Sequence, residues 1–450
     1  MPLPAGPLSR ALNLGPREVV SLLGGGGKTT LLFSLARELA RDRAVLVTTT
    51  TKIFLPRGER VLLAGSCREA TRKISPYAGK KGYVVLGQGV REGKLLGVPP
   101  AWIEALQEYF PYILVEADGS LGRPLKAHAP HEPVLPPTSS LVVILAGASV
   151  LGRPFSEEYV HRPQILAQLT GLEPGGNIRP WLVARSWQET AALAAGAAPR
   201  ARLIFFLNQV DTEEEREKNL AWVRHLGPWG QERILVGSLK PRVELVPWAD
   251  FHPLPLTAVV LAAGSSQRLG GQNKLLLPWQ GKTVIRQVVE NTLAAMPGVV
   301  VVTGYQAERV AGALKGLPVK MVHNPAYPEG QATSLRRGLE AVDPANSRGI
   351  MFVLGDQPLV PPALLKTLAL AFIIEEPLAL YPRYQGKRGN PVIFARPTFP
   401  ALAGVTGNQG GRQVLARLGD GARAIETIFP GVIQDIDGPR DLEDLKAYLY

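Results

Sequence analysis

Short apolar runs rich in β-branched residues alternate with helical patterns along most of this 450-residue chain. The runs are continuous instead of alternating with polar residues, which is typical of strands buried on both faces of a parallel sheet. They occupy residues 19–23, 44–48, 112–116, 141–145, 203–207, 257–261, 299–303, 350–354 and 391–394. Helical patterns cover residues 29–41, 101–110, 283–295, 333–341 and 439–448. This alternation predicts an α/β fold with mostly parallel sheets.

A proline-rich segment at residues 246–255, VPWADFHPLP, divides the pattern into two halves. Proline does not fit the interior of a helix or a central strand, so the segment is predicted to be a connector. A new apolar run begins directly after it. A chain of this length has room for two or three domains. We therefore predict two Rossmann-like three-layer domains, residues 1–252 and residues 253–450.

The composition excludes several classes of protein. Lys and Arg number 50 against 38 acidic residues, but they are scattered and form no basic stripe with interleaved aromatic residues. Acidic small-molecule substrates therefore explain the net charge of +12 about as well as a nucleic acid does. With one cysteine, Cys67, an internal disulfide is impossible. No apolar run approaches the roughly 20 residues that span a membrane, and the N-terminus lacks the apolar helix of a signal peptide. We expect a cytoplasmic protein without membrane or nucleic-acid partners.

The segment VVSLLGGGGKTTLLF places four glycines between a predicted strand and a predicted helix. Backbone N–H groups of such a loop can face an anion, a lysine adds charge, and a threonine hydroxyl can reach Mg²⁺. Leu22 replaces the first glycine of the usual P-loop pattern, but the four adjacent glycines supply similar backbone freedom. A glycine-rich turn without a ligand is the alternative. We predict a site for ATP or GTP at Gly24, Gly25, Gly26, Gly27, Lys28, Thr29 and Thr30, with Thr29 as a metal ligand.

Polar residues end several other strands of the first half. Four threonine hydroxyls in LVTTTTK, residues 46–52, could meet Mg²⁺ or phosphate. Glu116 or Asp118 could hold the metal through water, and we select Asp118 as the candidate ligand. The segment NQVD, residues 208–211, resembles the Asn-Lys-x-Asp guanine-binding motif of GTPases, with Gln209 in place of lysine. Asp211 could accept hydrogen bonds from a guanine edge, or it could equally cap the helix that follows.

The second half contains AVVLAAGSSQRLGGQNKLLLPW directly after the connector. Small residues after a strand let backbone N–H groups approach a triphosphate closely, and Arg268 and Lys274 offer charge to the departing pyrophosphate. A strand-to-helix turn with surface basic residues is the alternative. We predict that the nucleotide contacts Leu261, Ala262, Ala263, Gly264, Ser265 and Ser266, with Lys274, Arg268 and Asp356 as the catalytic residues.

Carboxylates end two further strands of this half. Asp356, in FVLGDQPLV, follows a buried strand at the edge where open α/β sheets bind ligands, so it is a candidate for holding Mg²⁺. Asp435 and Asp437, in QDIDG, are two residues apart and therefore point the same way. We select Asp437 as a second metal ligand. A turn-capping aspartate and a solvated turn are the alternatives.

The order of these motifs resembles the MobA-like nucleotidyltransferases, most closely the molybdenum cofactor cytidylyltransferases. The resemblance covers residues 256–450 and includes TGY, HNPAYPEGQATSLRRGL, GDQPLV, GNPVIF and DIDGPRDL. It implies transfer of CMP from CTP to a molybdopterin-type cofactor, with Gly264, Ser266, Arg268 and Lys274 on the phosphates and Asp356 on Mg²⁺. Ala263 is typical of the cytidylyl branch. Asn408 stands where the family often has an acid, and Gly438 where it often has threonine.

The first half resembles the YqeC family over residues 15–250, through GGGGKTT, TTTTKIF, VEADGSLGRPLKAHAPHEPVLP and VHRPQ. The resemblance implies an accessory role for selenium-dependent molybdenum hydroxylases, with a hydroxylase apoenzyme as a candidate partner. Its polar motifs contain Lys126, His128, His131, Glu132 and His161, which we do not interpret as a zinc site. We expect the histidines to be at the surface or to face a substrate.

Together the motifs predict an N-terminal P-loop NTPase-like domain joined to a C-terminal nucleotidyltransferase domain in molybdenum cofactor maturation. Two alternatives stay open at this point. The second half could be a sugar-phosphate-type nucleotidyltransferase, because the phosphate loop does not define the acceptor. The first half could be a cofactor chaperone in which the nucleotide acts as a conformational switch.

Overall fold

The computed structural model of the protein describes residues 6–226, 233–239, 246–248, 256–264, 272–343, 347–408, 410–438 and 441. The chain divides into two compact units. One unit contains Met1–Leu166 and Pro174–His252, and the other contains Ala167–Glu173 and Pro253–Tyr450. Each unit has its own central sheet.

Strands and helices alternate in the first half of the chain. The strands are β1 (Glu18–Gly24), β2 (Ala44–Thr49), β3 (Ile53–Phe54), β4 (Val61–Leu63), β5 (Gly82–Gly87), β6 (Gly89–Arg91), β7 (Lys94–Leu96), β8 (Tyr112–Glu116), β9 (Leu125–Lys126), β10 (Leu141–Gly147), β11 (Val160–His161), β12 (Arg202–Asn208), β13 (Arg233–Val236) and β14 (Val246–Trp248). The helices are α1 (Pro7–Ala11), α2 (Lys28–Leu39), α3 (Cys67–Ile74), α4 (Pro100–Leu106), α5 (Pro163–Thr170), α6 (Pro180–Ala197) and α7 (Glu213–Val223).

The main sheet of this half has the strand order β14-β13-β12-β10-β1-β8-β2-β5-β4. Neighbouring strands are parallel, apart from the pair β13 and β14. Every residue of β1, β2, β8 and β10 is buried. Burial on both faces explains why these strands are continuous apolar runs in the sequence.

Helix α2 covers the sheet with one apolar face. Leu31, Leu35 and Leu39 are spaced by four residues, which places them on the same side of a helix, and all three are buried. They belong to the same core as Val20 and Leu114 of the strands. This packing fixes the position of the helix N-terminus relative to the end of β1.

The proline-rich connector contains a short strand that the sequence did not predict. Strand β14 pairs antiparallel with β13, and Pro247 lies opposite Leu235. Proline is tolerated there because β14 lies at an edge of the sheet, where one side of the strand needs no N–H donor. The predicted connector therefore contains a short edge strand at Val246–Trp248.

The second half of the chain repeats the alternation. Its strands are β15 (Leu256–Ala262), β16 (Pro278–Trp279), β17 (Lys282–Thr283), β18 (Val299–Thr303), β19 (Lys320–His323), β20 (Gly349–Leu354), β21 (Ala379–Tyr384), β22 (Lys387–Arg388), β23 (Val392–Ala395) and β24 (Ala422–Glu426). Its helices are α8 (Val284–Leu293), α9 (Ala307–Ala313), α10 (Gln331–Glu340), α11 (Pro362–Glu375), α12 (Phe399–Ala403) and α13 (Arg412–Arg417).

The second sheet has the order β19-β18-β15-β20-β23-β21-β22, with β24 beside β21. Strands β19, β18, β15 and β20 are parallel to one another, whereas β23 runs antiparallel to β20 and β21. The predicted α/β fold with mostly parallel sheets is confirmed. The helix predicted at 439–448 lies outside the described residues, apart from residue 441. Among the helices that the structure describes, none combines the length and apolar character required to cross a membrane.

Candidate functional site

The glycine loop between β1 and α2 is packed directly against other backbone segments. Gly26 has a φ of +76°, and an added Cβ would lie 2.3 Å from the nitrogen of Gly147. At Gly25 an added Cβ would lie 2.4 Å from the carbonyl oxygen of Arg123. Neither position has room for a side chain. The fold therefore requires glycine at both positions, independently of any ligand.

Two of the predicted phosphate-binding N–H groups are hydrogen-bonded within the protein. Gly25 donates to the carbonyl oxygen of Leu145 at 3.0 Å, and Gly26 donates to that of Arg123 at 3.1 Å. The start of α2 remains as a source of N–H donors, because the first turn of a helix has no intrahelical acceptors. Lys28, Thr29 and Thr30 form that turn, and both threonines are exposed.

Lys28 is buried and points back toward carboxylates of the same unit. Its Nζ lies 3.0 Å from Asp118 Oδ1 and 4.0 Å from Glu116 Oε1, and it donates to Ser120 Oγ at 3.2 Å. Lys28 is 3% exposed, so its charge needs these partners. The predicted phosphate-binding lysine and the predicted metal-binding carboxylates are therefore in direct contact.

Asp118 is fully buried and is the centre of this charged cluster. Its Oδ2 accepts from the N–H of Gly24 at 2.9 Å, lies 2.7 Å from His128 Nε2 and is 3.3 Å from Lys126 Nζ. Burial alone would raise the pKa of Asp118, but the charges of Lys28 and Lys126 and the hydrogen bond with His128 hold it well below its usual range. Asp118 is therefore ionised, and its oxygens are engaged by protein donors.

Glu116, at the end of β8, is the carboxylate in contact with the loop threonine. Thr29 Oγ1 donates to Glu116 Oε2 at 2.9 Å. Burial raises the pKa of Glu116, and Lys28 and Thr29 oppose that increase. A hydroxyl and a carboxylate in contact at the mouth of a glycine loop are oxygen ligands of the kind that Mg²⁺ prefers.

The motif residues downstream of Asp118 extend the cluster. Lys126 is 1% exposed, and its Nζ lies 3.0 Å from Glu132 Oε2. Glu132 also binds Arg162 through both carboxylate oxygens. Burial alone would raise the pKa of Glu132, but Arg162 and Lys126 lower it to about 2. His161 of β11 lies opposite Lys126 of β9 in the strand register. Burial of the imidazole, and then the positive charges of Lys126 and Arg162, lower the pKa of His161 to about 4. His131 is exposed.

The threonine run at the end of β2 is hydrogen-bonded within the fold. Thr48 donates to the carbonyl oxygen of Leu86 at 2.9 Å, and Thr49 donates to that of Glu116 at 2.8 Å. Thr50 donates to the carbonyl oxygen of Val134 at 2.6 Å. These three hydroxyls join neighbouring segments, and each already donates to an acceptor within the fold.

In the second unit, β15 ends at the predicted nucleotide loop. Leu261 and Ala262 are its last residues, and Ala263 and Gly264 follow. An added Cβ at Gly304 would lie 2.8 Å from Ala263, so β18 and β15 approach closely at this edge. Ser265, Ser266 and Arg268 lie outside the described residues.

Lys274 lies between two of the predicted carboxylates. Its Nζ is 2.6 Å from Asp356 Oδ2 and 3.0 Å from Asp437 Oδ1. Burial alone would lower the pKa of Lys274, but Asp356 and then Asp437 outweigh it and raise the pKa. Lys274, Asp356 and Asp437, which were predicted from three separate motifs, thus meet at the carboxyl end of the sheet.

Gln357 is a site residue that the sequence did not reveal. It is 2% exposed, and its Nε2 donates to Asp435 Oδ1 at 2.6 Å. The N–H of Ile436 donates to the carbonyl oxygen of Asp356 at 3.0 Å, which joins the same two segments. Asp435 as a whole is exposed, but its carboxyl group is locally buried. This burial, and then the negative charge of Asp356, raise the pKa of Asp435. No short motif indicates this pairing, because the two segments are far apart in the sequence.

The carboxylates around Lys274 fit a metal ion that is held partly by the protein and partly by a bound substrate. Across the described residues, no group of three or more His, Cys, Asp or Glu side chains is arranged to hold a metal ion. Mg²⁺ is commonly held by one or two carboxylates together with substrate phosphates and water. Asp356 and Asp437 supply two such carboxylates.

Comparison with known proteins identifies the first half. The family model described as YqeC protein matches residues 20–164. The Escherichia coli (strain K12) protein YqeC, described as uncharacterized, is 37% identical over 182 residues, which are 38% of this chain and 70% of that protein. The chain belongs to the YqeC family. We refer to its first half as the YqeC domain.

The second half matches the MobA-like NTP transferase domain over residues 258–422, and we refer to it as the NTP transferase domain. The molybdenum cofactor cytidylyltransferase of Escherichia coli (strain K12) is 27% identical over 190 residues, covering 41% of this chain and 93% of that enzyme. A solved nucleotidyl transferase from Methanothermobacter thermautotroptrophicus is 28% identical, covering 43% of this chain and 97% of its own, with a TM-score of 0.38. The family model and the similarity to the cytidylyltransferase show that the second half is a nucleotidyltransferase related to that enzyme.

We predict that Gly26→Ala destabilises the YqeC domain by on the order of 3–5 kcal/mol, because strain at positive φ is combined with a backbone clash. Gly58→Ala is the matched control, since Gly58 also has a φ of +76° but an added Cβ would have no atom within 4 Å. The control should lose only about 1–2 kcal/mol. Urea denaturation of the full chain measures both, and equal losses would contradict the packing argument.

We also predict that the YqeC domain loses stability as the pH falls. His161 has a pKa of about 4 in the folded protein and about 6.5 in the unfolded chain, so the unfolded chain binds the proton first as the pH falls. The free energy of unfolding therefore decreases from pH 6.5 down to pH 4. Glu132 extends the loss from about pH 4.5 down to about 2. His161→Gln should flatten the upper part of the curve, whereas His131→Gln should leave it unchanged. Urea midpoints at pH 7, 5.5 and 4.5 measure the difference. Parallel curves for all three proteins would contradict the assignment.

Proposed function

We propose that the NTP transferase domain transfers CMP from CTP to a molybdopterin-type cofactor and releases pyrophosphate. The observation that carries the proposal is Lys274 held between Asp356 and Asp437 at the carboxyl end of the sheet. Similarity to the E. coli cytidylyltransferase over nearly its whole length supports this acceptor and this nucleotide. The YqeC domain would act in the same pathway, in maturation of a selenium-dependent molybdenum hydroxylase.

The proposed reaction needs positioning and charge neutralisation, with no covalent enzyme intermediate. An oxygen of the acceptor's terminal phosphate attacks the α-phosphorus of CTP, and the bond from that phosphorus to the oxygen of pyrophosphate breaks. Lys274 stays protonated because its two carboxylates raise its pKa, so it can donate to phosphate oxygens as negative charge increases on the leaving group. Asp356 and Asp437 would hold Mg²⁺, which supplies further positive charge at the phosphates when bound.

The YqeC domain is proposed to bind ATP or GTP at the start of α2. Lys28 would meet the phosphates, and Thr29 and Glu116, which are already in contact, would hold Mg²⁺. In this proposal Asp118, which the sequence analysis selected as a metal ligand, has a positioning role. Its carboxylate is engaged by Gly24, Lys28, Lys126 and His128, so it positions the loop and the lysine.

A nucleotide-switched chaperone is a second candidate function for the YqeC domain. Gly25 and Gly26 donate to protein carbonyl groups, and Lys28 contacts carboxylates, so a triphosphate would have to exchange existing bonds for new ones. Such an exchange couples nucleotide binding to a change in the loop. Tight nucleotide binding with negligible steady-state hydrolysis, with the cofactor present, would favour this function over an NTPase.

We predict that Lys274→Ala lowers CMP transfer by on the order of 100-fold or more, because a charged donor to the leaving group is lost. Asp356→Ala should have an effect of similar size. Lys282→Ala is the matched control, since Lys282 forms an ion pair with Glu290 in the same unit but lies outside the site. The measurement is pyrophosphate release from CTP by the full chain, with thermal unfolding recorded for each variant.

The acceptor and the nucleotide are tested in the same assay. ATP and GTP replace CTP, and a sugar phosphate replaces the molybdopterin-type cofactor, in parallel reactions. Release only with CTP and the cofactor is expected. Preferential release with a sugar phosphate would identify the alternative transferase, and full activity of Lys274→Ala would overturn the site assignment.

A further inference from the structure

Three segments of the YqeC domain meet at the carboxyl ends of adjacent parallel strands. The sheet places β1, β10, β12 and β13 side by side. Asn208 ends β12, Asp211 follows three residues later, and Ser238 follows β13 by two residues. Since neighbouring strands are about 4.8 Å apart, the end of β12 lies about 10 Å along the sheet edge from the glycine loop after β1. Open α/β sheets bind ligands along this edge.

Asn208 joins the glycine loop to the segment after β13. Its Nδ2 donates to the carbonyl oxygen of Gly26 at 2.7 Å, and its Oδ1 accepts from the N–H of Leu239 at 3.2 Å. The side chain is buried, with 4% exposed. The first residue of the NQVD segment therefore ties this segment to the proposed phosphate site.

Asp211 does not cap the helix that follows it. The N-cap of α7 is Thr212, whose hydroxyl accepts from the N–H of Glu215 at 3.1 Å. Glu215 completes the capping box by accepting from the N–H groups of Thr212 and Asp211. The helix start is satisfied without the Asp211 carboxylate, so the capping interpretation of this residue is wrong.

The carboxylate of Asp211 is instead oriented by Ser238. Ser238 Oγ donates to Asp211 Oδ1 at 2.6 Å, and Ser238 is buried, with 4% exposed. A charge-assisted hydrogen bond from a buried, immobile donor fixes the direction of the carboxylate. The position and direction of a hydrogen-bond acceptor are thereby defined at the same sheet edge as the glycine loop.

We propose that Asp211 binds the base of a nucleotide, and that the nucleotide of the YqeC domain is a guanine nucleotide. The proposal rests on the nucleotide site proposed above and specifies its base. A carboxylate can only accept hydrogen bonds. Guanine presents two adjacent donors on one edge, the ring N1–H and the 2-amino group, which match the two oxygens of a carboxylate. Adenine presents a lone pair at N1, which a carboxylate repels.

The same chemistry predicts a change of base in one variant. Xanthine has a carbonyl group where guanine has its 2-amino group, so it presents one donor and one acceptor on that edge. Asn offers one acceptor and one donor. In Asp211→Asn the preferred ligand should therefore change from a guanine to a xanthine nucleotide.

The test is calorimetric titration of the full chain with GTP, ATP and xanthosine triphosphate in the presence of Mg²⁺. All proteins carry Lys274→Ala to weaken nucleotide binding at the NTP transferase domain. We expect GTP to bind on the order of 100-fold more tightly than ATP, because two hydrogen bonds to a charged group are lost with adenine. Asp211→Asn should lose GTP affinity by a similar factor and gain affinity for xanthosine triphosphate.

Two further variants complete the design. Asp42→Asn makes the same chemical change at an exposed position of the same unit and should alter no affinity. Ser238→Ala keeps the carboxylate but removes its orienting donor, so it should reduce the ratio of GTP to ATP affinity by about tenfold, the equivalent of one hydrogen bond.

The possible outcomes separate this proposal from the nucleotide site on which it rests. If GTP and ATP bind equally and Asp211→Asn changes neither affinity, the base assignment is overturned while the nucleotide site stands. If no triphosphate binds to the YqeC domain, both are overturned. If Asp211→Asn does not fold, the ratio of GTP to ATP affinity in the parent chain and in Ser238→Ala decides.

Discussion

The first unit depends on one buried carboxylate, Asp118, and on the cations that neutralise it. Its oxygens contact the N–H of Gly24, Lys28, Lys126 and His128, which come from three different segments. A buried charge that loses its partner typically destabilises a protein by about 3–5 kcal/mol. The glycine loop, the start of α2 and the segment after β8 are therefore held in one arrangement, and the geometry of the proposed nucleotide site follows from it.

The second unit reaches a similar arrangement with different elements. Lys274 follows the loop after β15, Asp356 follows β20, and Asp437 comes from the C-terminal segment. In both units a lysine that follows one parallel strand contacts a carboxylate that follows the neighbouring strand: Lys28 and Asp118 follow β1 and β8, and Lys274 and Asp356 follow β15 and β20. Parallel strands create this situation because their carboxyl ends lie at one edge, so residues that are far apart in sequence are brought together there.

The strands and the outline of both sites could be predicted from sequence because the signals are local. A strand buried on both faces is a continuous apolar run, and a glycine loop before a lysine is a short pattern. The contacts that define the sites are not local. Lys274 and Asp437 are 163 residues apart, and Asp211 and Ser238 are 27 apart. Their pairing depends on strand order, which composition and periodicity do not specify.

At two places the structure differs from the local pattern in the sequence. Asp211 and Thr212 are both good N-cap residues, and the choice is decided by Glu215, which lies three residues after Thr212 and completes a capping box. At Gly25 and Gly26 the sequence has the pattern of a phosphate loop. The N–H groups are nevertheless hydrogen-bonded to Leu145 and Arg123, which no local pattern could indicate.

The contact between lysine and carboxylates also constrains how a nucleotide can enter either site. A phosphate that attracts Lys274 away from Asp356 and Asp437 leaves two carboxylates close together without a cation, which is unfavourable where solvent is partly excluded. For Lys28 the loss falls on Glu116, because Asp118 would keep Lys126 at 3.3 Å. A divalent ion held by the vacated carboxylates would restore the charge balance. Both sites, if they bind nucleotides as proposed, are therefore better suited to a metal–nucleotide complex than to a free nucleotide, because lysine and metal can then each face an anion.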